Sequence, residues 1–132
     1  MKKIIPFVFI IVSVFAIQGC QKTSDAEDVV DKFYSCLEEN DYDGLVEFLD
    51  EETIEMYSEE VIISTMKERN EFWGDLKDRK KTFTEIKTNN GQTKVVLRYD
   101  VENENGKTHE EFELLENDGE FKISYYEYKS AE

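Results

Sequence analysis

The sequence predicts an α+β domain in which N-terminal helices pack on a curved four-stranded antiparallel sheet. Three observations carry this. Apolar residues recur at helical spacing as far as Trp73, the period changes to strict alternation from Lys80, and turn-forming residues then appear at even intervals. Those turns are Asn89-Asn90-Gly91, Asn103 to Gly106, and Asn117-Asp118-Gly119.

The chain opens with Lys2 and Lys3 followed by an apolar run, Ile4 to Ile17, broken only by Pro6 and Ser13. A positive start before a short apolar run is the pattern of a signal peptide, assigned to residues 1–19. The run falls short of the ~20 apolar residues that span a bilayer core. It closes on Ile17-Gln18-Gly19-Cys20, which resembles a bacterial lipobox with cleavage between Gly19 and Cys20. The resemblance implies diacylglycerol thioether and palmitate on Cys20, so the expected location is the cell or outer membrane, outside the cytoplasm.

Removing residues 1–19 takes away two lysines and no acids, moving the formal charge from −15 to −17. Such a surface lacks the basic stripe that phosphate neutralisation demands, so nucleic acid is disfavoured as a partner. An anionic bilayer would repel it, leaving the lipid as the attachment. The remaining 113 residues suffice for one core and one domain, assigned to 25–132. Cys20 and Gln21 to Ser24 form a lipidated end and short tether, its three residues Gln21 to Thr23 reaching ~10 Å when extended at ~3.5 Å each.

Ser24-Asp25-Ala26-Glu27 reads as a capping box opening the first helix, whose stripe is Val29, Val30, Phe33, Cys36 and Leu37. With Cys20 consumed by lipid, Cys36 has no internal disulfide partner and reads as a small core residue. Asn40 to Gly44 breaks the helix, and Leu45, Val46, Phe48 and Leu49 begin a second. Glu39, Asp41, Asp43 and Asp50 fall near calcium-loop spacing around Gly44, but the first and twelfth positions carry the wrong acids, and capping explains Asp and Gly here. No metal is assigned. Residues 49–58 fit either helix or a short strand, and Ser58 then caps a third helix carrying Val61, Ile62, Met66 and Trp73.

Strands are expected near Lys81–Thr88, Thr93–Glu102, Lys107–Leu115 and Glu120–Lys129. Alternation puts Val95, Leu97, Tyr99 and Val101 on the helix side with Phe112, Leu114, Phe121, Ile123 and Tyr125. Arg98, Glu111, Glu113 and Lys122 then face water, where they can pair across strands. His109, the only histidine, shares that solvent face, whereas Glu110 and Thr108 point to the core. Tyr126 and Tyr128 share a face, read as a homodimer contact or a shield over the sheet.

Phe33-Tyr34 with Leu37 ahead of Asn40-Asp41-Tyr42-Asp43, then Trp73-Gly74 with Arg79, then Val96-Leu97-Arg98-Tyr99, then Asp118-Gly119-Glu120-Phe121-Lys122-Ile123 with Tyr126, occur in an order that resembles the nuclear transport factor 2-like, or cystatin-like, superfamily. The resemblance implies a cone of helices wrapped on a bent sheet, sometimes enclosing a pocket. Some members are isomerases and cyclases, but no acid–base pair of theirs aligns onto this chain. The leading expectation is therefore a non-catalytic envelope module that binds a protein partner, including a basic one, or a small apolar ligand, with no cofactor. Alternatives are an accessory subunit of an envelope assembly or a pocket enzyme using Glu110 as base and Tyr99 or Tyr125 as oxyanion donor, with Trp73 completing the candidate pocket.

Overall fold

A computed structural model describes the backbone of residues 4–131 and the side chains of residues 21–131. The expected signal peptide, the Gly19–Cys20 cleavage pair and the lipidation of Cys20 lie outside the described side chains.

Among the described residues four helices precede four strands: α1 Ile4–Glu38, α2 Tyr42–Val46, α3 Glu51–Tyr57, α4 Glu59–Trp73, then β1 Leu76–Asn89, β2 Gln92–Asn103, β3 Gly106–Asn117 and β4 Glu120–Ser130. The strands form one antiparallel sheet in the order β1-β2-β3-β4. Its turns are those expected. Asn90 and Asp118 take φ of 53° and 54°, and the glycines that follow them take 78° and 79°, a pairing that suits the right-handed twist of a hairpin. Among the described residues no helix is long and apolar enough to cross a membrane.

The first helix differs from its sequence reading. The backbone is already helical from Gln21 to Ser24, so Ser24 lies inside α1 and caps nothing. The expected tether is therefore a helical turn whose three residues advance only about 5 Å. Lys22 anchors that turn to β3 by a 2.8 Å ion pair with Glu116.

One face of α1 presents Ala26, Val30, Phe33, Tyr34 and Leu37 to the sheet, all nearly inaccessible to water. They pack on Val95, Leu97, Tyr99 and Val101 of β2, Phe112 and Leu114 of β3, and Phe121 and Ile123 of β4. Leu45, Leu49 and Met66 close the core from the other helices. Among the described residues the core runs from Ala26 to Ile123. Cys36 is a free thiol half-buried against this core, and burial followed by Asp41 raises its pKa, the state of a packing cysteine.

Asp41 caps α2 by accepting from the Gly44 N–H at 3.0 Å. The ambiguous stretch 49–58 is helical, with a single bridging residue before the helix. Leu49 makes a parallel bridge to Ile123, and α3 begins two residues later. Ser58 then caps α4, its Oγ accepting from the Val61 N–H at 3.3 Å.

The face assignment holds through β2 and β3, where Arg98 pairs with Glu111 at 2.5 Å and Lys94 with Glu113 at 2.6 Å on the solvent side. In β4 it fails beyond Ile123. Glu113 pairs with Tyr125 and Leu114 with Ile123, leaving Ser124 as the extra residue of a β-bulge. An added residue reverses all later parity. Tyr125, expected on the core side, is exposed, and Tyr126, expected outside, packs against the core.

Candidate functional site

Two features share the Tyr126 ring: a buried polar cluster between α1, α4 and the sheet, and an open apolar groove where α3 and α4 face β4. The cluster centres on Glu110, which the alternation of β3 turns inward. Its Oε1 accepts from Tyr34 Oη at 2.9 Å and from Tyr126 Oη at 2.6 Å. Its Oε2 accepts from Thr108 Oγ1 at 2.6 Å and from Arg69 Nη2.

Arg69 comes from α4, 0% exposed, as is the side chain of Glu110. It also donates to Asn103 Oδ1 at 3.0 Å and through Nε to Tyr126 Oη at 3.1 Å. Its other terminal nitrogen, Nη1, is buried with no hydrogen-bond partner among the described residues. The Tyr128 ring, whose centroid lies 6.0 Å from the guanidinium carbon, offers that cation a partial substitute.

A carboxylate offers roughly four lone-pair positions, and here four donors occupy them. Glu110 therefore has no acceptor capacity left for a substrate proton. Burial, then the charge of Glu110, holds the Tyr34 and Tyr126 phenols well above their ordinary pKa, so both remain donors rather than phenolates. The cluster is a structural device that seats two charges inside the core.

The groove, of about 470 Å³, has Phe33, Leu45, Leu49, Met66 and Ile123 along its base. Tyr126 also lines it, so one ring serves both features. Met56, Tyr57 and Val61 form the outer wall and are 73%, 54% and 52% exposed. Tyr125 stands across from them on β4. Large apolar side chains this exposed and this close together mark a binding surface more often than an accident of composition.

The four candidate pocket residues do not converge. Glu110 is buried in the cluster. Tyr99 lies under α1, edge-on to Tyr34 and Phe112 with ring centroids at 6.1 and 5.9 Å, and burial raises its pKa. Tyr125 sits at the groove rim and donates to Glu127 at 2.9 Å, which with slight burial pushes its phenol up to about 12. Trp73 closes α4 against Gly106 and lines a separate hollow with Phe72 and Tyr128. His109 is exposed, its Nδ1 2.7 Å from Asp100 Oδ1.

Little in the sequence singles out Arg69. A buried arginine in an acidic chain looks like any helix-surface cation, and its only sequence signal is its place three residues after Met66 on the α4 stripe. Alternation places Tyr126 on the wrong face because Ser124 gives no sign of a bulge.

No family model matches this chain, and no curated protein matches it. Among solved structures it is similar to a SEC-C motif-containing protein from Rhodopseudomonas palustris, with 17% identity and a TM-score of 0.47, covering 75% of this chain and 73% of that one.

Proposed function

We propose that the chain is an envelope lipoprotein, anchored through Cys20, whose nuclear transport factor 2-like domain is a non-catalytic binding module acting through the groove between α3, α4 and β4. The observation that carries this is the exposure of Met56, Tyr57 and Val61 around an apolar base. A folded chain gains by covering such a surface, at roughly 25 cal/mol per Å² removed from water. The saturated coordination of Glu110 supports binding over acid–base chemistry, because the one core carboxylate aimed at a role as base is fully engaged.

Two measurements test the reading. Soluble 21–132 should bind a neutral solvatochromic dye such as Nile red, with emission lost in Val61→Glu while circular dichroism stays unchanged. Equal emission from both proteins would show that the groove is not the site. In cells, Cys20→Ser should abolish labelling by an alkyne palmitate and move the protein to the soluble fraction; retained labelling would remove the anchor.

A further inference from the structure

Resting on the groove as the binding site, we infer that its occupant is a cationic amphipathic segment of a partner protein. Two observations lead there. The first is charge distribution. Between Glu47 and Met66, the stretch that builds α3 and the outer wall, the chain has seven acids and no lysine, arginine or histidine. Glu52 and Glu60, both exposed, immediately flank the wall residues Thr53 and Val61, and Glu127 takes the Tyr125 hydroxyl at the facing rim. Cations collect instead on β1, which carries Lys77, Arg79, Lys80, Lys81 and Lys87. Arg69 of α4 is neutralised by Glu110, and Lys122 of β4 pairs with Glu120 at 3.3 Å. An apolar trough inside an acidic rim complements a segment with one apolar and one basic face.

The second is length. On α4, Val61, Thr65, Glu68 and Phe72 fall at i, i+4, i+7 and i+11, one helical stripe. Val61 and Thr65 line the groove, while Glu68 and Phe72 line a second hollow with Trp73 and Tyr128. Val61 to Phe72 spans about 16 Å at 1.5 Å per residue. Two hollows set along one stripe of α4 suit a chain segment more than a compact ligand. Met56, 73% exposed, supplies an adaptable wall for varied apolar anchors.

The test is fluorescence anisotropy of soluble 21–132 with two labelled synthetic peptides of one apolar pattern, leucine with lysine and leucine with glutamate. The lysine peptide is expected to bind about tenfold or more tighter than the glutamate one, weakening as salt shortens the Debye length. Val61→Ser should abolish binding, and Glu52→Lys with Glu60→Lys should reverse the preference, whereas Asp28→Lys on α1 should leave it unchanged. Equal affinity for both peptides, or lysine-peptide binding indifferent to Val61→Ser, overturns the inference. Nile red bound without either peptide also overturns it and leaves a small apolar ligand as the occupant. Loss of both dye and peptides in a folded protein removes the groove reading itself.

Discussion

Arg69 of α4 and Glu110 of β3 form an ion pair in which neither side chain touches water, 41 residues apart in sequence. Removing two charges from solvent costs several kcal/mol per ion, offset only when their other hydrogen bonds are made. Glu110 meets that condition with four donors, whereas Arg69 leaves Nη1 unpaired. The pair is therefore expected to depend on both partners.

Glu110→Gln leaves Arg69 as an uncompensated buried cation and should destabilise the domain by about 3–5 kcal/mol. Replacing both residues, as Arg69→Met with Glu110→Leu, should recover most of that loss. Denaturant unfolding of the two variants decides it. A single variant within about 0.5 kcal/mol of the parent would mean the charges are not buried together.

The bulge at Ser124 makes adjacent tyrosines unequal. Tyr126→Phe removes a hydroxyl that joins Glu110 to Arg69 and should cost about 1–3 kcal/mol. Tyr125→Phe loses only an exposed contact to Glu127 and should stay within about 0.5 kcal/mol. The reverse order in thermal or denaturant unfolding would restore the unbulged alternation.

Alkaline pH should unfold the domain through the same cluster. Tyr34 and Tyr126 have folded-state pKa values raised by burial first and by Glu110 next. Below the ordinary phenol pKa of about 10 both states hold the proton, and the contribution is fully present. Above it the unfolded chain releases protons that the folded one retains, so stability falls as pH rises. Phenolate absorbance should show these two rings ionising together with loss of structure. Ionisation in a folded protein near pH 10 would contradict their burial.

Gly106 takes φ +145°, and a Cβ there would lie 2.9 Å from Trp73 Cζ3. Gly106→Ala should destabilise by more than about 1 kcal/mol and displace the ring. Because Trp73 is the sole tryptophan, its emission reports that displacement directly. An unchanged spectrum and melting temperature would place the indole elsewhere.

Much of this was legible beforehand. The hairpin turns at Asn90-Gly91 and Asp118-Gly119 set four strands, and alternation along β2 and β3 correctly turned Glu110 inward and His109 outward. Ser24 was misread because a capping box marks a helix start only where the chain before it is not already helical.

What the sequence alone determined was local: helix and strand periods, turn chemistry, and the acidity of the stretch from Glu47 to Met66. Tertiary structure decided which residues met. The bulge that turns Tyr126 inward is a shift between β3 and β4, the pairing of Arg69 with Glu110 joins α4 to β3, and the groove between Val61 and Tyr125 lies between α4 and β4. Periodicity repeats within one element and so fixes its own faces. It holds no information about which distant face completes a charge's hydrogen bonds or leaves an apolar wall uncovered.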